Sequence, residues 1–126
     1  MQYINKAEIL GRVGDVRTNK VGENMVANLK VVTERIYISK DGKTVTEKTW
    51  HLVTVWDNVG GPGIGEIKVG DIVQAIGPIF YRKYVNIDNQ ERFSTEIHAS
   101  SFKVFPSGTS SDEISLLEEE EAAPQE

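Results

Sequence analysis

Short runs rich in Val, Ile, Thr and aromatic residues follow one another along this chain, separated by clusters of Gly, Asn and Asp. The clusters recur about every ten residues, a spacing typical of β-strands joined by turns, and few segments favour helix. The whole chain has 126 residues, of which 39% are hydrophobic. A chain of that size can bury one modest core but not two. The pattern therefore predicts one all-β domain.

The first half of the pattern predicts one bent strand and one long hairpin. Residues 7–20 form the first strand, which we expect to bend at Gly14 because glycine inside a strand marks a bulge or a tight bend. Residues 25–38 and 44–56 form the next two strands. The Asp41-Gly42 pair between them supplies the positive φ that tight hairpin turns require.

The second half predicts a glycine-rich loop and another hairpin. Residues 58–66 contain four glycines and one proline, which disfavour a regular helix by about 1 kcal/mol for each Gly and about 3 for the Pro. Residues 71–84 then pair with residues 90–105, with a bulge or an edge position at Gly77-Pro78. Five antiparallel strands, the first of them bent, predict a five-stranded, partly open barrel of the OB-fold type. An SH3-like barrel is the alternative.

The end of the chain differs in composition from the rest. Residues 106–126 are rich in Ser, Glu and Pro, contain no aromatic residue, and carry seven acids and no base. Such a segment cannot bury enough apolar surface to offset its ordering entropy, so we expect a domain of residues 1–105 and a disordered acidic tail of residues 106–126. Ile114, Leu116 and Leu117 could form a helical turn on a partner protein, and a purely solubilising tail is the alternative.

The acidic tail conceals the charge of the domain. The full chain has a net charge of −5, but residues 1–105 hold all 14 Lys and Arg and only 12 of the 19 Asp and Glu, a net charge of +2. A mildly basic domain is compatible with a polyanionic partner.

Several classes of protein are excluded by what the sequence lacks. Cysteine is absent, which excludes disulfide scaffolds and thiol nucleophiles, and the two histidines could supply only part of a metal site. No nucleophile, base and orienting acid can be assembled, so we expect neither an enzyme nor a cofactor or metal. No apolar run approaches the roughly 20 residues of a membrane span, and the start of the chain lacks a signal-peptide pattern. We therefore expect a cytoplasmic protein without membrane contact.

The third predicted strand presents two tryptophans on one face. Side chains alternate along a strand, so Trp50, Thr54 and Trp56 share one face while Val53 and Val55 point to the core. A face that merely meets solvent would normally carry polar residues, and exposed aromatic rings need a partner.

The fourth predicted strand interleaves aromatic and basic residues in the run Phe80-Tyr81-Arg82-Lys83-Tyr84. Such a run suits a nucleic acid, because every base offers a π-face and every nucleotide a phosphate. Ordinary core aromatics with solvated charges are the alternative. Together with the tryptophans, the run favours a binding face.

With these residues in view, the chain resembles the bacterial single-stranded DNA-binding protein family over roughly residues 4–104. The resemblance rests on Ile4-Asn5-Lys6, Ile9-Leu10-Gly11, Val16-Arg17, Val26-Ala27-Asn28-Leu29, Thr49-Trp50-His51, Lys68-Val69-Gly70-Asp71, Arg82-Lys83-Tyr84 and Glu91-Arg92-Phe93-Ser94-Thr95-Glu96. Their order and spacing make the match specific. The resemblance implies an OB fold.

The resemblance also implies which residues contact DNA. The base-stacking aromatics fall on Tyr37, Trp50, Trp56 and Tyr84, and the implied basic contacts are Lys6, Arg17, Arg82, Lys83 and Arg92. Lys30, Arg35, Lys43 and Lys48 are additions by position alone. Tyr37 shares strand parity with Leu29, so it reaches the tryptophan face only if the second strand contains a bulge or a coil. His51 matches a position near the subunit contact.

Some positions depart from the family pattern. The glycine-rich segment replaces a helix, Leu52 stands where a basic residue is common, and Tyr37 and Tyr84 stand where tryptophan is common, which implies somewhat weaker stacking. The chain ends Ala122-Ala123-Pro124-Gln125-Glu126, without the apolar Pro-Phe tip through which the family docks repair and replication proteins.

The function implied by the resemblance is binding and protection of single-stranded DNA, without strong sequence preference, during replication, repair and recombination. It also implies a homo-oligomer, the family's tetramer, that is associated with the nucleoid and can face replication or repair proteins through its acidic tail. The alternative is an OB-fold assembly factor of the primosome kind, whose sheet face mainly contacts proteins and in which Trp50 and Trp56 anchor an interface.

Overall fold

Seven strands form one sheet in the computed structural model of this chain, which describes residues 2–105. The strands are β1 (Ala7–Val21), β2 (Asn24–Ile38), β3 (Thr44–Trp56), β4 (Ile72–Gly77), β5 (Ile79–Val85), β6 (Glu91–His98) and β7 (Ser101–Phe105). A single helical turn, α1 (Asp57–Gly60), and a 3₁₀ turn over Pro62–Glu66 lie between β3 and β4. The order across the sheet is β5-β6-β3-β2-β1-β4-β7. The acidic tail predicted for residues 106–126 lies outside the described residues.

The first three strands follow the predicted pattern. β2 and β3 pair in one unbroken register from Val26↔Trp56 to Ile38↔Thr44, and Gly42 in the turn between them has a φ of 81°. β1 pairs with β2 in a register that shifts between Val13 and Asp15. The long hairpin and the bend predicted at Gly14 are therefore confirmed.

The structure has seven strands where the sequence predicts five, because two predicted strands change partners midway. β4 pairs with β1 and β7, whereas β5, which begins after Pro78, pairs with β6. Pro78 has no N–H group to donate to a ladder, so the strand predicted over residues 71–84 breaks there. The strand predicted over residues 90–105 breaks at Ala99 and Ser100, whose amides donate to the carbonyl oxygens of Thr54 (2.9 Å) and Ile76 (2.7 Å).

The pairing of the strands is also not wholly antiparallel. β3 and β6 run parallel from Leu52↔Glu96 to Thr54↔His98. The chain passes through α1, β4 and β5 between these two strands, and a long connection of this kind lets it return in the same direction. The sheet ends at β5 on one side and at β7 on the other, whereas the sequence predicts five strands in a partly open barrel.

Alternate side chains of β1–β4 fill the core. The largest fully buried side chains are those of Leu29, Ile64, Val13, Val31, Val53, Val55 and Val73. Burial of Val53 and Val55 confirms the side-chain parity predicted for the third strand. Ile64 comes from the 3₁₀ turn, so the segment predicted as a glycine-rich loop contributes a core residue. Strand alternation then leaves the neighbours of the core valines on the opposite face of the sheet.

Candidate nucleic-acid interface

Strand register places one row of side chains on the outer face of five adjoining strands. Thr54 of β3 lies opposite Asn28 of β2 and His98 of β6, and Asn28 lies opposite Arg17 of β1. Residues directly opposite in a sheet project to the same face. We call this surface the groove face; it consists of Arg17, Asn19, Asn28, Lys30, Trp50, Leu52, Thr54, Trp56, Phe80, Arg82, Tyr84, Arg92, Ser94, Glu96 and His98.

Two adjoining grooves cross this face. The first, of about 350 Å³, is lined by Arg17 and Lys30 among other residues. The second, of about 740 Å³, contains the rings of Trp56 and Phe80. The two grooves share Asn19, Asn28, Thr54, Arg82 and Glu96. They therefore form one path that joins basic side chains to aromatic rings.

Trp50 lies farther along β3, against the register shift of β1. A β-carbon on Gly14 would lie 2.5 Å from Cη2 of the Trp50 ring, so the ring rests on the glycine backbone. The side chain is nevertheless 58% exposed. A ring that is supported on one side and open on the other suits the stacking of a base.

Phe80 is a further aromatic residue of the groove face, and the residue-by-residue prediction omits it. Its ring stacks on His98, with centroids 4.2 Å apart and an interplanar angle of 21°, and it is 48% exposed. The signal that could have found it is strand parity, because Phe80, Arg82 and Tyr84 alternate along β5 and share one face.

Glu96 places a carboxylate where the two grooves meet. It is only 9% exposed. One carboxylate oxygen, Oε2, lies 3.1 Å from Nε of Arg82 and accepts a hydrogen bond of 2.8 Å from the Ser94 hydroxyl. The other, Oε1, lies 3.5 Å from Nε2 of His98. The sequence holds no signal for this role, since Glu96 is one acid among many.

The predicted basic contacts are exposed, and most already have a partner. Nε of Arg17 lies 3.5 Å from Asp15, and Nζ of Lys83 lies 3.0 Å from Glu91. Arg92 lies directly opposite Tyr84 on the β5–β6 hairpin, so the two share the groove face. The three predicted arginines, Arg17, Arg82 and Arg92, thus belong to this face, whereas strand parity places Lys83 with Phe93 on the other face.

Lys6 precedes β1 and is held near β5 by its neighbour. The Asn5 side chain donates to the Ile79 carbonyl at 3.0 Å and accepts from the Ile79 amide at 2.9 Å. This pair of bonds fastens the start of the chain beside the first residue of β5. Lys6, which is exposed, therefore lies close to the strand that carries Phe80.

Tyr37 is not brought onto the groove face. The register of β2 with β3 contains no bulge, so Tyr37 lies opposite Val45 and keeps the parity of Leu29. The Arg35 guanidinium lies 4.8 Å from the centre of its ring. A hydrogen bond to Glu47 raises the pKa of the Tyr37 hydroxyl. Of the two features that would bring Tyr37 onto that face, a bulge or a coil, the bulge is absent from this strand pair.

Of the four lysines and arginines added by position alone, Lys30 lines the first groove. Arg35 pairs with Glu47 at 3.0 Å, Lys43 with Asp41 at 3.9 Å and Lys48 with Glu34 at 3.8 Å, all on the β2–β3 hairpin. Arg35, Lys43 and Lys48 are thus each paired with an acid of the hairpin, away from the grooves.

His51 lies on the face of β3 opposite to the tryptophans. Its Nε2 atom is 2.8 Å from the Thr33 hydroxyl oxygen, and it is half-buried. Burial lowers the pKa of His51. The imidazole therefore resists protonation. Because of its strand parity, it does not belong to the groove face.

Residues 2–105 contain no group of three His, Asp or Glu side chains arranged to hold a metal ion. Within the same residues, no helix is long and apolar enough to cross a membrane.

A model of the single-strand binding protein family matches residues 4–105. This chain belongs to that family. It is 31% identical over 104 residues to the single-stranded DNA-binding protein of Neisseria meningitidis, and 32% identical over 111 residues to the mitochondrial single-stranded DNA-binding protein of Danio rerio. These matches cover 80% and 78% of this chain but 59% and 73% of those proteins. The resemblance found in the sequence is confirmed.

Solved structures share the fold of this family member. The Plasmodium falciparum SSB in complex with ssDNA superposes with a TM-score of 0.70 at 22% identity, covering 83% of this chain and 96% of that one. A deletion mutant of the single-stranded DNA binding protein from Thermus aquaticus superposes with a TM-score of 0.64 at 11% identity, covering 83% and 52%. Such low identity with such close superposition establishes an all-β fold in common.

Proposed function

We propose that this chain binds and protects single-stranded DNA along the groove face, without strong sequence preference. The observation that carries the proposal is that exposed aromatic rings and basic side chains share the groove face. Trp50, Trp56 and Phe80 are each more than a third exposed, and Arg17 and Arg82 line the grooves beside them. Stacking contributes about 1–3 kcal/mol per base and tolerates any base.

The proposed contacts combine the residues that the family resemblance implies with Phe80 and Lys30, which lie on the groove face; Lys83 lies on the other face of β5. The stacking residues are Tyr37, Trp50, Trp56, Phe80 and Tyr84, and the phosphate contacts are Lys6, Arg17, Lys30, Arg82, Lys83 and Arg92. Tyr37 lies off the groove face, so a bound strand has to pass around the β2–β3 hairpin to reach it. Because the domain charge is modest, we expect stacking and the avidity of an oligomer to contribute more than charge.

The family supports this function over the primosome-like alternative. The relatives of this chain carry the name single-stranded DNA-binding protein. Since the chain spans about three fifths of the length of the Neisseria protein, further activities of that longer protein do not follow for this chain.

We also infer that the seven strands are an interrupted OB-fold barrel. A single residue separates β4 from β5, and two residues separate β6 from β7. If each pair counts as one broken strand, five strands result. The first broken strand pairs with β1 through β4 and with the second through β5 and β6, and β6 pairs with β3, so the five strands form a closed circuit.

The setting of this function is inferred from the family as well. We propose a homotetramer, with His51 near a subunit contact, that acts in replication, repair and recombination in the cytoplasm, on the nucleoid. We further propose that residues 106–126 are a disordered acidic tail that faces replication or repair proteins, although they lack a Pro-Phe tip. The proposed role does not include catalysis.

Titration of intrinsic fluorescence with a homopolymeric single strand tests the function directly, because Trp50 and Trp56 are the two tryptophans of the chain. We expect saturable quenching that duplex competitor does not reverse. The binding constant should fall with salt, with a logarithmic slope of about −0.7 for each phosphate contacted. Unchanged fluorescence without binding would contradict the proposal and point to a protein partner for this face. Competition with RNA of the same sequence measures the preference for DNA.

A further inference from the structure

A buried acid in the middle of a surface for a polyanion requires a physical reason. Glu96 lines both grooves and is only 9% exposed. Its charge opposes the approach of phosphate, and simple repulsion would make it a defect of the surface. Its contacts suggest a different role.

The contacts of Glu96 fix the position of Arg82. Its Oε2 atom lies 3.1 Å from Nε of Arg82, and the Ser94 hydroxyl donates to the same oxygen at 2.8 Å. Glu96 is itself held in the sheet, since it lies opposite Leu52 on one side and Phe80 on the other. A fixed carboxylate therefore orients a long side chain that would otherwise be free to move.

The oriented guanidinium still has donors for another partner. The Arg82 side chain is 71% exposed. Arginine has five N–H donors in a rigid planar fork, so the bond from Nε leaves terminal N–H groups for a phosphate. Arg82 also lines both grooves, so a strand that follows the path passes its guanidinium.

We infer that Glu96 is a positioning residue for DNA binding. It holds the Arg82 guanidinium at the junction of the two grooves, so that the arginine side chain is already ordered before a phosphate binds to it. The inference rests on the proposed function. An arginine that is ordered before binding loses less side-chain entropy when the complex forms. Glu96 thus raises affinity for an anion although it carries a negative charge.

The sign of one substitution separates positioning from repulsion. Glu96→Gln removes the charge and keeps the shape of the side chain, and the full chain is titrated with a homopolymeric single strand of dT. Positioning predicts binding weaker by about fivefold to tenfold, because the ion pair with Arg82 is replaced by a weaker hydrogen bond to an uncharged amide oxygen. The salt slope should lose about 0.7, the value of one single-strand phosphate contact. Repulsion predicts tighter binding.

A matched control removes one acid elsewhere. Glu66 belongs to the 3₁₀ turn and is not among the residues that line the two grooves. Glu66→Gln changes the net charge equally and should leave both the affinity and the salt slope close to those of the wild type. Equal effects of the two substitutions would overturn the inference.

A double-mutant cycle shows whether Glu96 acts through Arg82. In an Arg82→Ala background, Glu96→Gln should cause no further loss, because the group it positions is gone. The same loss in both backgrounds would overturn the inference, as would unchanged or tighter binding by Glu96→Gln alone. If Glu96→Gln lowers the amount of folded protein, Ser94→Ala serves instead, with an expected loss of about twofold to fivefold for one hydrogen bond.

Failure of the inference can be told from failure of the proposed function. Wild-type protein that does not bind single strands would overturn both. Wild-type binding that folded Glu96→Gln leaves unchanged or tightens would overturn only the role of Glu96.

Discussion

The indole ring of Trp50 lies against the backbone of Gly14, where β1 shifts its register against β2. A β-carbon on residue 14 would lie 2.5 Å from Cη2 of that ring, a distance that real β-carbons do not adopt. The ring is 58% exposed on its other side. A backbone irregularity in β1 thus supports an aromatic platform that belongs to β3.

Gly14→Ala should displace this ring and weaken DNA binding. The methyl group meets the far end of an exposed side chain, which can swing away, so we expect the free energy of unfolding to change by less than about 1 kcal/mol. Affinity for a single strand should fall by about 1–3 kcal/mol, the value of one stacked base. Tryptophan emission and titration measure both effects. Gly63→Ala is the control, since its methyl group meets nothing within 4 Å; equal binding by the two variants would contradict the prediction.

Joint replacement of Trp50 and Tyr84 by Ala should reduce affinity by about 2–6 kcal/mol, twice the range for one stacked base. Both residues lie on the groove face, whereas His51 lies on the opposite face of β3, so we expect the oligomer to stay intact. Fluorescence anisotropy of a labelled strand measures binding, and light scattering measures the mass of the assembly. Dissociation of the oligomer with nearly unchanged binding would favour the primosome-like alternative.

Phe80→Ala should weaken binding by about 1–3 kcal/mol if its ring stacks on a base. The same residue type provides the control, because Phe93 lies opposite Lys83 on the other face of the β5–β6 hairpin and is 70% exposed. Phe93→Ala should leave the affinity unchanged. A larger loss from Phe93→Ala than from Phe80→Ala would show that the strand follows the other face.

The pH dependence of stability should report on His51. Burial lowers its pKa below the ordinary value of 6.5, so the unfolded chain binds its proton more readily than the folded one. Stability is therefore unaffected above about pH 7 and falls as the pH drops below about 6.5. We expect the Tm to fall between about pH 7.5 and 5.5, and His51→Gln to reduce that fall. Identical profiles for the two proteins, measured by thermal unfolding, would exclude this contribution.

Gly77→Ala should destabilise the fold itself. A β-carbon there would lie 2.9 Å from the carbonyl carbon of His98 and 3.0 Å from the amide nitrogen of Ser100. These are backbone atoms that cannot swing away, so we expect the free energy of unfolding to fall by about 2–3 kcal/mol. Urea unfolding measures the change against Gly63→Ala. If the free energy of unfolding falls no more than in the control, the backbone of β4 can move away from the segment between β6 and β7 at no cost.

The sequence by itself determined the first three strand segments, their turns and the alternation of side chains along them. Alternation along a strand is a local property, so the parity of Val53 and Trp56 could be read from the order of the residues. The turn at Gly42 and the bend at Gly14 are local for the same reason. The motifs that resemble the family could likewise be recognised from the sequence.

Only the tertiary structure decided which strands lie side by side. The change of partners between β4 and β5, the parallel pairing of β3 with β6, and the unbroken register that keeps Tyr37 off the groove face all depend on hydrogen bonds between distant segments. The same holds for the Gly14–Trp50 contact and for the carboxylate of Glu96 beside Arg82. Side-chain direction follows from the local geometry of the chain, whereas contact across strands depends on long-range pairing, which no local pattern specifies.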